Sequence, residues 1–252
     1  MKRTITIAPG YEHLRTFVEE IPQRFLHEGQ EVYRQRNLIK VLTAPDGTRL
    51  NVKRYHVPAG PNRLIYSLGI RKPKGQRAFE YPERLLAAGI ATPQPVALIE
   101  ERNTLHLLGY SYFVSLQCDY GHTLYEMGSA TPDAYLPMAE ALAQLAARMH
   151  EQQIMHCDFT PGNILWQHDE EGYHFQLVDI NRMFFGPVSI EKGVLSMIRL
   201  WGPKAFIEHL VRCYALARQA NPDEALQLAM PARARFWKRF QRKHDVPFTL
   251  EL

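Results

Sequence analysis

His156-Cys157-Asp158-Phe159-Thr160-Pro161-Gly162-Asn163-Ile164-Leu165-Trp166, followed by Leu177-Val178-Asp179-Ile180-Asn181, is the pair of stretches whose reading decides the fold. The first comes after a long helical pattern and runs into an apolar, strand-like segment. His168-Asp169-Glu170-Glu171-Gly172 is a turn sequence, and a second strand-like segment leads from it to Asp179. The order is loop, strand, turn, strand, Asp. A hairpin of that order places Asp158, Asn163 and Asp179 at the same end.

Those three side chains are the set that phosphoryl transfer requires. A carboxylate must orient an acceptor hydroxyl and take its proton, and oxygen ligands must hold Mg²⁺ against nucleotide phosphates. The catalytic loop of kinases carries its Asp five residues before its Asn, and Asp158 and Asn163 have that spacing. Asp179 stands where the Asp of the DFG motif stands, but Ile180 and Asn181 replace Phe-Gly, so a DFG-type switch is not expected. A single Asp before Pro-Gly is as often a plain turn residue. Three such residues around one hairpin are much less often accidental. His156 reads as structural, bonded to the loop backbone.

Two further parts belong upstream. Ala44-Pro45-Asp46-Gly47 is a turn between two strands, and the second strand, Thr48 to Tyr55, puts Lys53 on the face opposite Val52. Lys53 is the candidate for the α- and β-phosphates, with Lys40 on the preceding strand as its rival. A bland alternative for any strand lysine is a solvated surface position. Residues 76–88 read as a helix with Phe79, Leu85 and Leu86 buried, Pro82 near its first turn and Gly89 closing it. Glu80, or Glu83 one turn on, is the candidate partner of Lys53. A glycine-rich phosphate loop is nearly missing, since Gly29 stands alone in Phe25–Val32. The adenine edge is expected against the backbone of the segment from Leu116 to Asp119, at Leu116 and Cys118.

Working outward, Val96–Ile99 and Ser111–Leu116 read as strands, Val32–Thr43 as β-structure and residues 58–75 as a basic connection. Thr131-Pro132-Asp133 opens a helix whose Leu136, Ala139, Leu142, Ala143 and Ala146 keep helical spacing to His150. Residues 190–219 and 223–242 also read as helices. The expectation is an α+β, bilobal fold. Residues 1–118 form a small, mainly antiparallel β N-lobe with one helix that binds ATP, and residues 119–252 form a larger, mainly helical catalytic C-lobe.

The 252-residue length fits this arrangement. A net charge of +4 favours acidic partners without choosing among them. The three cysteines, 118, 157 and 213, lack metal-ligand spacing, and an odd number argues against a disulfide framework, so a reducing cytoplasm is expected. The first ten residues lack a signal-length apolar run, and no run long enough to span a bilayer is found.

His156–Leu165 with Asp179 downstream resembles the catalytic core of the protein-kinase-like superfamily. Within it the chain is most similar to the lipopolysaccharide core kinases, which phosphorylate Kdo or heptose. Ala88-Gly89-Ile90-Ala91-Thr92-Pro93-Gln94-Pro95-Val96 matches that family's segment after the first-lobe helix, and Leu177–Arg182 matches its metal-binding strand end. The resemblance covers roughly residues 20–200. It implies ATP and Mg²⁺ as cofactors, Asp158 as catalytic base, Asn163 and Asp179 as metal ligands, and Lys53 and Glu80 at the phosphates. The implied acceptor is a sugar hydroxyl of the anionic lipopolysaccharide core, at the inner face of the cytoplasmic membrane.

Segments 63–77 and 233–243 are rich in Arg and Lys with interleaved apolar residues. Each suits peripheral contact with an anionic glycolipid surface, or simply a solvated loop and a docked helix respectively. No nucleic-acid motif accompanies them, and no nucleic-acid partner is expected. Two rivals stand beside the glycolipid kinase. One is a protein kinase or other small-molecule kinase, against which stand the missing Ala-Pro-Glu and a second half rich in Arg and Lys. The other is a pseudokinase that binds without transfer, against which stand Asp158, Asn163 and Asp179.

Overall fold

The computed structural model describes residues 2–34 and 37–251. By internal contacts the chain forms two compact units, residues 1–84 with 92–119 and residues 85–91 with 120–252.

In the first unit the chain runs β1 (Lys2–Ile7), α1 (Arg15–His27), β2 (Gln30–Arg34), β3 (Leu38–Thr43), β4 (Arg49–Tyr55), α2 (Pro61–Ser67), α3 (Lys74–Ala87), β5 (Pro95–Arg102) and β6 (Leu108–Leu116). The last residues of α3 belong to the second unit. The six strands make one antiparallel sheet in the order β1-β5-β6-β4-β3-β2. The expected β3–β4 turn forms, with Gly47 at φ +88° and the Asp46 carboxylate accepting from the Thr48 amide at 2.9 Å.

Several expectations change here. Among the described residues the unit holds three α-helices, not one. The β-segment expected over 32–43 is two strands, β2 and β3; residues 35 and 36 between them lie outside the described residues. The basic connection contains α2, started by Pro61 at a first-turn position where its missing N–H costs nothing. Pro82 lies in the interior of α3, where Ala78, Pro82 and Leu85 form the buried stripe. Phe79 and Leu86 are only half-buried. Gly89 closes α3 as expected: at φ +70° its amide bonds to Leu86 O, and that of Ile90 to Leu85 O.

Helix α1 carries Leu14, just before it, and Phe17, Val18, Ile21 and Phe25 at helical spacing. This stripe packs on Leu38, Leu42, Leu50, Val52, Tyr112 and Val114 of the sheet. Strand alternation turns Lys40 to that same face. Its side chain is 9% exposed, and its ammonium donates to the carbonyls of Phe25 (2.8 Å) and Glu28 (3.0 Å) at the C-terminal end of α1. Lys53, paired with Ile39 and Phe113, faces the other side.

The second unit contains β7 (His122–Thr123), α4 (Pro132–Glu151), β8 (Ile154–His156), β9 (Ile164–Asp169), β10 (Gly172–Leu177), β11 (Met183–Phe185), α5 (Ile190–Met197), α6 (Lys204–Ala217) and α7 (Pro222–Phe240). Pro132 opens α4 after Thr131 as expected. Ala139, Leu142, Ala143 and Ala146 of α4 are buried and pack against α6, whereas Leu136 is exposed. The helix expected over 190–219 is two, α5 and α6, separated by a segment containing Gly202 and Pro203. Strands β9 and β10 pair antiparallel, Ile164 opposite Leu177, so the predicted hairpin is present with its open end at Asn163 and Val178. Among the described residues no helix is long and apolar enough to cross a membrane.

Candidate active site

The loop after β8 is held by the ring of His156, which is fully buried. Its Nε2–H donates to the carbonyl of Val178 at 3.0 Å, and its Nδ1 accepts the Asp158 amide at 3.1 Å. A carbonyl can only accept and an amide can only donate, so these partners set the neutral tautomer. Burial lowers the pKa of the ring, which keeps it neutral. Its role is structural, as the sequence suggested.

Asn163 closes the same loop. Its Nδ2 donates to Asp158 O (2.9 Å) and to Thr160 Oγ1 (3.1 Å), which leaves Oδ1 as the end able to face a cation. The Val178 amide donates to Asn163 O at 3.0 Å. One residue later Asp179 takes a left-handed backbone conformation, φ 55° and ψ 38°, which Asp tolerates better than most residues. Its Oδ1 accepts from Asn181 Nδ2. The three predicted residues are thus brought to one end of the β9–β10 hairpin by Val178, which bonds to both Asn163 and His156.

Asp158 is flanked by two cations that sequence reasoning missed. Arg182 Nη1 lies 3.3 Å from Oδ2 and Arg199 Nη1 lies 3.4 Å from Oδ1. Arg182 had a signal, since it closes the Asp179-Ile180-Asn181-Arg182 turn. Arg199 had none. The neighbouring Cys157 is exposed as a residue, yet partial desolvation of its sulfur raises the thiol pKa, against the pull of Arg182 and Arg199 and with Asp158 adding to the rise.

The first unit places its predicted residues on β4, α3 and the end of β6. Lys53 is half-buried, with its ammonium 5.3 Å from the centre of the Tyr55 ring. Glu80 accepts from Lys72 Nζ (2.5 Å) and from Gln76 Nε2 (2.7 Å), whereas Glu83 is exposed. The Leu116 amide donates to Gln94 O at 2.9 Å, and the Cys118 carbonyl accepts from Gln117 Nε2 at 2.6 Å. Lys40, the rival lysine, is committed to the end of α1. A cavity of about 370 Å³ in this unit, lined among others by Tyr55, His56, Tyr66, Lys74 and Ser111, includes none of the predicted site residues.

The donor set suits a cation shared with a nucleotide. Among the described residues no three His, Cys, Asp or Glu side chains gather to hold a metal by themselves. An amide oxygen and a carboxylate, Asn163 and Asp179, are what a magnesium ion bound largely through phosphate oxygens and water requires.

An antiparallel sheet unit followed by a helical unit carrying this loop defines the protein-kinase-like fold, and solved structures agree. A WaaP structure in complex with acyl carrier protein matches over 96% of this chain and 100% of that one, with a TM-score of 0.60 and 14% identity. The amicoumacin kinase hAmiN, in complex with AMP-PNP, Ca²⁺ and Ami, matches over 95% and 88%, with a TM-score of 0.59 and 10% identity. The pattern of the lipopolysaccharide kinase (Kdo/WaaP) family matches residues 26–184, well over half of the chain, and the chain belongs to that family. The EKC/KEOPS complex subunit Tp53rkb of Mus musculus is 29% identical over 111 residues, 44% of this chain; the match spans just under half, 45%, of that relative's length.

Proposed function

We propose that the chain transfers the γ-phosphoryl group of ATP, with Mg²⁺, to a sugar hydroxyl of the lipopolysaccharide inner core, on Kdo or heptose. The observation that carries this reading is the tie between the two halves of the site. The loop bearing Asp158 and Asn163 is bonded through His156 and Val178 to the strand end bearing Asp179, in a chain of the Kdo/WaaP family. Asp158 orients the hydroxyl and takes its proton; Asn163 and Asp179 hold the magnesium ion. Lys53 reaches the α- and β-phosphates with Glu80 as its partner, and the backbone at Leu116 and Cys118 receives the adenine edge. The metal, when bound, neutralises charge on the phosphates, and what the protein adds is position.

A glycolipid acceptor implies work at a membrane surface on the cytoplasmic side. Leu64, Leu68 and Ile70 are exposed large apolar side chains beside Arg71 and Lys72, a composition suited to resting on anionic lipid. In the 233–243 segment Arg233 and Trp237 are buried in the helical unit, and Arg235, Lys238, Arg239, Arg242 and Lys243 are exposed.

The test is ATP consumption with Mg²⁺ and a Kdo-containing glycolipid, for the wild type and Asp158→Ala. Turnover that is equal in the two proteins removes the proposal. Transfer to protein alone moves it to a protein kinase.

A further inference from the structure

Both oxygens of Asp158 face guanidinium groups, Arg182 at 3.3 Å and Arg199 at 3.4 Å. The arginines come from separate elements, one from the turn after Asp179 and one from just past α5. Their side chains are 51% and 45% exposed, against 23% for Asp158. The Arg199 guanidinium also lies over the Phe236 ring at 5.6 Å, so α7 limits where it can go. At these lengths and exposures each pair is a weak, solvent-screened surface ion pair. Such a pair holds two charged forks in place without committing them.

A carboxylate covered on both oxygens is poorly placed to take a proton from a hydroxyl. To act as a base it needs one guanidinium to turn away. We propose that Arg182 and Arg199 are a specificity clamp that receives an acidic group of the acceptor, a carboxylate or a phosphate, close to the hydroxyl that is phosphorylated. The acid engages the two forks bidentately, and their shift from Asp158 uncovers the base. A neutral acceptor gains neither effect. This inference rests on the kinase reading above and adds which residues select the acceptor.

The experiment compares kcat/KM for a Kdo-containing glycolipid with that for two neutralised forms, the Kdo methyl ester and the product of removing the lipid phosphates. Wild type, Arg182→Gln and Arg199→Gln are assayed, each checked for folding by thermal unfolding. The wild type should prefer the fully acidic acceptor to one of the neutralised forms by about tenfold or more. Each variant should bring that ratio to within about twofold of unity. Whichever neutralisation abolishes the preference identifies the acid as carboxylate or phosphate. Variants that keep the wild-type ratio, or a wild type without preference, overturn the clamp and leave the kinase reading intact. Should no glycolipid accept phosphate, the proposed acceptor fails and the clamp is decided by titrating free Kdo and inorganic phosphate. Binding of either acid to the wild type that weakens about tenfold in both variants sustains it. Equal binding, or none to the wild type, overturns it.

Discussion

His156 donates its Nε2–H to the carbonyl of Val178 at 3.0 Å, and that bond ties the loop carrying Asp158 and Asn163 to the strand end carrying Asp179. Its other nitrogen holds the Asp158 amide. His156→Ala leaves a buried carbonyl and amide without their partner and opens a cavity, for a cost on the order of 2–4 kcal/mol. Phosphoryl transfer should fall well beyond the loss of folded protein, because Asp158 and Asp179 lose their common support. Denaturant midpoints and kcat measured on the same samples check this. A stable, fully active His156→Ala protein would show that the ring positions nothing.

A second buried histidine makes stability depend on pH. Tyr214 Oη accepts from Arg218 at 2.8 Å and shares a hydrogen bond with His150 Nδ1 at 2.8 Å, while His150 Nε2 has no partner among the described residues. Burial, with Arg218 adding, pushes the pKa of His150 down to about 4. The unfolded chain therefore takes up a proton near the ordinary value of 6.5, and the folded chain only near 4. The contribution is complete above that ordinary value and is lost as pH falls through the interval, on the order of 3 kcal/mol in all. Glu100, whose pKa burial raises, acts in the opposite sense. The difference between wild type and His150→Leu isolates the histidine: urea unfolding at pH 7 and pH 4.5 should show a smaller acid loss in the variant.

Lys40 and Lys53 are separable by what each variant loses. Lys40→Met removes the donor for Phe25 O and Glu28 O, and should cost about 1–3 kcal/mol of stability while leaving KM for ATP near the wild-type value. Lys53→Met should do the reverse, raising KM for ATP or lowering kcat with little loss of stability. Reversal of the two phenotypes would reassign the nucleotide lysine.

The β9–β10 hairpin and the loop before it were more legible in the sequence than the sheet unit, and the reason is locality. The spacing of Asp158, Asn163 and Asp179 and the turn at residues 168–172 lie in one continuous stretch, so the hairpin followed from short-range rules. Strand β1 pairs with β5, some ninety residues away in sequence, and nothing near Lys2–Ile7 announces that partner. Helix α1 had a legible stripe in Leu14, Phe17, Val18, Ile21 and Phe25, but Pro22 in the middle of it argues against a helix until the packing outweighs it. Strand position favoured Lys53 over Lys40, but it could not show that Lys40 is tied to the end of α1. The choice depends on which face α1 covers. Arg199 approaches Asp158 only because α5 ends where it does, a matter of tertiary structure alone.

Helix α5 approaches its neighbours too closely for any side chain at Gly193. A Cβ there would fall on Tyr214 Oη and stand 2.6 Å from the ring carbon Cζ and 2.9 Å from His150 Nδ1. Gly193→Ala gains helix propensity of about 1 kcal/mol. It must also displace a buried tyrosine with two hydrogen bonds, at about 1–3 kcal/mol or more. The net effect should be a lower melting temperature, and a rise would show that Tyr214 has room to move.

Arg233 carries the stability of the turn that presents Arg199. Its buried guanidinium donates to the carbonyls of Ile198 (3.2 Å), Leu200 (2.7 Å) and Gly202 (3.1 Å), and burial pushes its pKa down to about 10. Three carbonyls converging on one planar fork explain why a charge is kept inside: they supply the negative ends that water would otherwise offer. Arg233→Met fills the space but leaves Leu200 and Gly202 without that donor, while Trp237 Nε1 still reaches Ile198 at 3.0 Å. The expected loss is on the order of 2–4 kcal/mol. Arg233→Lys should recover only part of it, because a single ammonium cannot span carbonyls spread over five residues. Denaturant unfolding of both variants orders them, and a lysine variant as stable as the wild type would mean that charge alone, without the fork, holds the turn.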